Sequence, residues 1–328
     1  MKLTFDQIKS ILHGAVRTEE KDGKLFLYRF TEAQTEAYKG YKEAFYIKSF
    51  ASSSMRLEFM TDSQNLCFSA DVKRASSRKF FSFDVYVDGA MKLNSYGEYS
   101  NDPCGEIEFS VKLGEGEKRV AIYLPWSAAT MIKELSLDEG ATITPIKKDL
   151  TLLSFGDSIT QGYIALCPSF TYANRLADAL GAEIVNKGIG GEVFFPTLAE
   201  LRDEIEPDII TVAYGTNDWS HSEKDVFDTN SKLFYEALAK NYPNAKIFAL
   251  APIWRPNYNK VVKKVGEFSH VLGRLHEIAS GIPNMTVIDC FDFVSKEKTS
   301  FAPDYLHPND RGFYNYATNL YAEIKKYL

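Results

Sequence analysis

The chain has 328 residues, 45% of them hydrophobic and 25% charged, with a formal net charge of −6. This composition is ordinary for a globular protein and excludes the basic footprint of a nucleic-acid or anionic-lipid binder. Four cysteines, Cys67, Cys104, Cys167 and Cys290, lack C-x-x-C spacing, which argues against a zinc knuckle or disulfide framework and suits a reducing compartment.

The length suggests roughly two domains. The opening segment, MKLTFDQIKSILHGAVRTEEKDG, has charges throughout and no apolar h-region, so it does not read as a secretory signal. No window approaches the ~18 uninterrupted apolar residues of a membrane span. The expected location is cytoplasmic, or secreted if a signal has been trimmed. Residues 5–15 predict a short helix with Phe5, Ile8, Ile11 and Leu12 on one side. From there to about residue 146 the apolar period is two, over 24–30, 44–50, 54–59, 80–91 and 105–126. Phe81, Phe83, Val85 and Val87 fall on one face, the mark of strands with one buried and one wet side. Asp88-Gly89 predicts a tight hairpin, and residues 114–117 another turn. Residues 1–147 therefore predict an all-β sandwich of jelly-roll type.

After residue 148 solid apolar strands alternate with amphipathic stretches. The strands are expected at 150–155, 183–188, 208–215, 245–252 and 285–291. The helices are expected at 169–181, 197–206, 225–242, 265–281 and 309–328. In the last, Phe313, Tyr316, Ala317, Leu320, Tyr321 and Ile324 form one stripe. Residues 148–328 thus predict a flavodoxin-like three-layer α/β/α sandwich on five parallel strands, whose ligands sit beyond the carboxyl ends of the strands.

Polar and glycine residues cluster at those ends, Gly156-Asp157-Ser158, Asn186 to Glu192, Tyr214 to Trp219 and Ala251 to Pro256, and again past the fifth strand, before the last helix, at Ala302 to Asp310. Each stretch alone has a plainer reading as a turn, a phosphate cradle or a helix start. Together they hold the parts of an acyl-transfer site. A serine hydroxyl needs a base, and histidine is the base poised near neutrality. His307 has a carboxylate three residues away, Asp304, able to orient its ring. Ser158, Gly191 and Asn217 are candidate oxyanion donors. Thr160 in the place of glycine rules out the G-x-S-x-G elbow. No metal or cofactor motif stands out, so none is expected.

"GDSITQGY" (156–163), "NKGIGGE" (186–192), "GTNDW" (215–219) and "DYLHPND" (304–310) resemble the four blocks of the SGNH (GDSL) hydrolases. The family letters fall on Ser158, Gly191, Asn217 and His307, with Asp304 as triad acid. The resemblance covers about residues 150–328 and implies a flavodoxin-like fold that cleaves esters or acetyl groups without a cofactor. The wording is more similar to carbohydrate esterases than to long-chain lipases. Some relatives carry an N-terminal jelly-roll domain, and residues 120–141 resemble its closing strands. Some two-domain members lack the acid and work as Ser-His dyads; Asp304 is present here. The expectation is a serine esterase that removes O-acetyl groups from carbohydrates. The alternatives are a short-chain lipase, thioesterase or lysophospholipase, or an inactive glycan-binding protein. The expected partner is a small-molecule or oligosaccharide ester, with no nucleic acid, no membrane and a homo-oligomer left open.

Asp157 reads as a brace for the turn. Trp219, Trp254 and Tyr163 are candidate sugar-stacking residues; Phe194, Phe195 and Tyr314 also lie near the rim but read more readily as core. His221 reads as a solvated loop residue, and His13, His270 and His276 as surface positions on helices.

Overall fold

Residues 1–328 are all described in the structure, a computed structural model. The alternating N-terminal sequence forms two antiparallel sheets. One runs in the order Leu12–His13, Arg56–Thr61, Lys118–Tyr123, Phe80–Val87, Ala90–Glu98, with Thr144–Pro145 added on Arg56–Thr61. The other runs Arg17–Lys21, Lys24–Tyr28, Ala128–Leu137, Asn65–Arg74, Cys104–Lys112. Leu57, Phe83 and Ile122 from the first meet Phe68, Val72 and Leu135 from the second in one apolar core. Asp88 and Gly89 both take positive φ, 48° and 79°, as a type I′ hairpin requires.

Two local expectations fail here. The first helix stops early, at Phe5–Ser10, so His13 lies in a short strand and not on a helix surface. It is buried and paired with Glu183 of the other half. Residues 44–50 are not a strand. They form the helix Glu43–Ser49, which follows Glu32–Tyr41, itself started by a Thr31–Gln34 capping box. A short apolar run fits either period, and tertiary packing decides. Here Phe45 and Tyr38 pack edge to face at 6.3 Å and join Phe30 in the core of the C-terminal half.

That half is a five-stranded sheet in the order Ala182–Asn186, Leu150–Gly156, Ile209–Ala213, Lys246–Leu250, Met285–Ile288. Every pairing is parallel, giving the flavodoxin-like arrangement. Apolar clusters cover both faces, which is why these strands carry no polar alternation. The helix expected over 197–206 ends at Glu200. Beyond it Asp203 is buried against Lys187, and this ion pair draws the chain out of the helix. The 265–281 helix is Ser269–Ala279, because Gly266 sits at φ 108° in a turn with Lys263. No helix is long and apolar enough to cross a membrane.

Candidate active site

The first parallel strand ends at Gly156. A Cβ there would lie 2.1 Å from Thr160 Oγ1, so only glycine allows the chain to turn this tightly into a helix. Asp157 caps that helix, Ser158–Gln161, its Oδ1 accepting from the Ile159 N–H at 2.9 Å. Ser158 is thereby the first helical residue, at the carboxyl end of a strand inside the sheet.

His307 Nε2 lies 2.8 Å from Ser158 Oγ, and Nδ1 lies 2.8 Å from Asp304 Oδ2. The other Asp304 oxygen accepts from the Leu306 and His307 backbone N–H groups, each at 3.0 Å. This small loop fixes carboxylate and imidazole together. With Nδ1–H donating to Asp304, Nε2 is the free acceptor for the serine proton. Burial holds the His307 pKa below its usual value; Asp304 opposes this, and the charges of Arg78 and Arg255 add to it. Burial alone would raise the Asp304 pKa, but its hydrogen bonds from His307 and Leu306 take it below the ordinary carboxylate value. The Tyr163 ring stacks on the imidazole, centroids 5.6 Å apart.

Gly191 turns with φ 87°, and Asn217 lies in the first turn of Thr216–His221. Asn217 Nδ2 donates to Glu192 O at 3.0 Å and to Asp157 Oδ2 at 3.3 Å. The amide thus links the Ser158 turn to the glycine loop. The Ser158 N–H, at the start of its helix, has no intrahelical acceptor. Burial pushes Asp157 up to about 7, with Asp218 adding to it, and burial likewise pushes Asp218 to about 7.

The glycine loop is held from the N-terminal part of the chain. Arg29 is wholly buried and donates to four carbonyls: Ala51 (2.8 Å), Lys48 (2.9 Å), Asn186 (2.7 Å) and Gly188 (2.8 Å). Lys48 donates to Gly190 O, while Gly190 N–H donates to Gln161 Oε1 at 2.7 Å. Tyr38 and Tyr214 both donate to the Glu192 carboxyl, which burial pushes up to about 8. The residues that reach in from the N-terminal half, Arg29, Tyr38 and Lys48, carry no sequence motif. Only a buried arginine's need for several carbonyls hints at such a role, and burial is not visible in sequence.

The stacking candidates are placed differently. Trp219 is 1% exposed, packs on Phe268 at 5.1 Å and donates its ring N–H to Gly266 O at 3.0 Å. It is core and has no open face, which corrects that expectation. Tyr163 is also buried, and its hydroxyl accepts from Ser77 N–H at 3.0 Å. It supports His307 instead of presenting a platform. Trp254 is half-buried, 5.6 Å from Phe301. Phe194 is core, and Phe195 stacks on Tyr41 at 4.4 Å. Tyr314 lines a cleft of about 470 Å³ together with Tyr86, Arg119 and Arg175. His221 and His276 are exposed, and His270 is bonded to Asp228 at 2.9 Å. No three His, Cys, Asp or Glu side chains cluster to hold a metal ion.

Residues 154–313 match the model of the GDSL-like Lipase/Acylhydrolase family. Among solved structures, the salicylyl-acyltransferase SsfX3 of a tetracycline biosynthetic pathway superposes with a TM-score of 0.82 at 21% identity, over 96% of this chain and 94% of that one. A GDSL-like lipase assignment from Bacteroides ovatus superposes at 0.76 and 18% identity, over 99% and 97%. The acetyl xylan esterase Est2A of the rumen bacterium Butyrivibrio proteoclasticus superposes at 0.65 and 14% identity, over 97% and 95%. Among curated proteins no sequence matches.

Proposed function

Because residues 154–313 form a domain of the GDSL-like lipase/acylhydrolase family, we propose that this protein is a serine esterase that removes O-acetyl groups from carbohydrates. The observation carrying this reading is the chain of contacts from Ser158 Oγ through His307 to Asp304, 2.8 Å at each step. His307 takes the proton of Ser158 as its oxygen attacks the acetyl carbonyl. The N–H groups of Ser158 and Gly191 receive the oxyanion. Asn217 joins them by exchanging its 3.3 Å bond to Asp157 for the substrate oxygen. Each such donor is worth on the order of 10²–10³ in kcat. His307 then protonates the leaving sugar hydroxyl, and water activated by the same ring releases acetate. Asp304 keeps the ring in the right tautomer and stabilises the imidazolium.

The test compares p-nitrophenyl acetate, octanoate and palmitate. The acetate is expected to turn over fastest, and Ser158→Ala to lower kcat by at least ~10³-fold. Faster cleavage of the long chains would reject the acetyl assignment. Undiminished activity in the alanine variant would reject the nucleophile. A second reading, acyl transfer to a hydroxyl acceptor, draws support from the fold-level likeness to the salicylyl-acyltransferase. Adding an alcohol to the assay separates the two, since a transferase forms the new ester at the expense of free acetate.

A further inference from the structure

Two arginines lie near enough for their charges to act on His307, and neither belongs to the hydroxyl–imidazole–carboxylate chain. Arg255 follows the fourth parallel strand. Its three hydrogen bonds all come from Nη1 and go to neutral groups: Thr216 O and Oγ1, each at 3.1 Å, and Ser220 Oγ at 2.9 Å. Its Nε is buried with no partner, and its guanidinium lies 5.0 Å over the Trp219 ring. The helix it braces is the one that carries Asn217.

Arg78 comes from the sandwich. Its loop is pinned to the site by Ser77, whose N–H donates to the Tyr163 hydroxyl. Its Nη2 stands 3.9 Å from Asp304 Oδ2, its guanidinium 5.8 Å from the Tyr163 ring, and its Nε is buried without a partner.

A guanidinium stays charged and is costly to desolvate without a counter-ion. The carboxylates nearby are already engaged. Asp304 holds His307. Asp157 accepts from Ile159 and Asn217, and Asp218 accepts from Phe194 and Gly215. None completes Arg255.

We propose that the ester substrate carries a carboxylate on its alcohol portion, that of an acidic sugar, and that Arg255, with Arg78 across the site, receives it. This rests on the esterase reading above. The planar guanidinium suits a carboxylate in two-point contact, and its position beside the Asn217 helix holds the sugar while Ser158 attacks the acetyl group. The sandwich thereby supplies a specificity residue to the other half's chemistry.

The experiment uses the full chain with three substrates: an O-acetylated methyl glucuronoside, the corresponding uncharged glucuronamide, and p-nitrophenyl acetate. Acetate release is expected to show kcat/KM at least ~10-fold higher for the acid than for the amide, mostly through KM, with the gap narrowing in 0.5 M salt. Arg255→Met and Arg78→Met should each bring the acid-to-amide ratio toward one. A merely structural role would lower both substrates alike and leave the ratio unchanged, overturning the assignment. Equal rates for acid and amide in the unaltered protein, with p-nitrophenyl acetate still cleaved, overturn the inference alone. Absence of turnover of all three overturns the esterase reading, and the inference with it. The comparison in the unaltered protein and its salt dependence stand even if a variant fails to fold.

Discussion

At the scale of single residues, the proposed esterase reading makes His307 the group that decides when the site is active. Its folded pKa is held below 6.5, chiefly by burial, so the imidazole is already the free base at neutral pH. The rate should therefore rise with pH along a limb whose midpoint lies below 6.5 and be level at pH 7 and above. A pH profile of kcat/KM on p-nitrophenyl acetate measures this, and a midpoint above 6.5 contradicts it. Ser158, Asp304 and His307 were legible as candidates because the chain has only five histidines, and His307, with Asp304 three residues before it, follows the last parallel strand while Ser158 stands at the end of the first. Trp219 was misread because a large aromatic next to a motif looks the same whether it faces the pocket or the core.

At the scale of elements, the helices Glu32–Tyr41 and Glu43–Ser49, with the Arg29 that precedes them, act as a clamp on the glycine loop. Replacing Arg29 by Met leaves the Asn186, Gly188, Lys48 and Ala51 carbonyls without this donor in a buried setting. Unsatisfied buried groups of this kind cost about 1–3 kcal/mol each, with relaxation sparing part of the total. Arg29→Met should lower the urea midpoint clearly and, under conditions where the variant is folded, reduce kcat more than it raises KM, because the Gly191 N–H drifts from its place. A folded variant with unchanged kcat would show that the clamp has no hold on the site. The period-two reading of residues 44–50 missed this element. Seven residues are too few to separate the periods, and the deciding partner, the core around Leu153 and Val185, lies far along the chain.

For the molecule as a whole, the two halves are interlocked and not merely strung together. Arg56 and the Tyr123 hydroxyl hold Asp178, His13 pairs with Glu183, Asp84 accepts from Ser169, and the Trp126 ring N–H donates to Ala165 O. Buried acids also give the fold an unusual pH response. Asp157 and Asp218 are pushed to about 7 and Glu192 to about 8, each first by burial, from ordinary values of 3.8 and 4.5. Between those limits the folded chain binds protons that the unfolded chain has released, so stability falls as pH rises. Burial lowers Lys187 to about 8, which makes stability recover above that pH. The urea midpoint should therefore decline from pH 5 to pH 8, the smaller opposing contribution of His307 notwithstanding. A midpoint that climbs over this range would refute the buried-acid account.

The sequence by itself determined the two periods, the order of the parallel strands' polar ends and the chemistry of the groups at them. Those are local properties, set by side-chain type and spacing. Only the tertiary structure decided which aromatics were core, that residues 43–49 were helical, and that Arg29, Lys48, Arg78 and Arg255 converge on the site. Such facts depend on burial and on contacts between residues from about 35 to more than a hundred positions apart, and the free energy of those contacts has no counterpart in any short window of the chain.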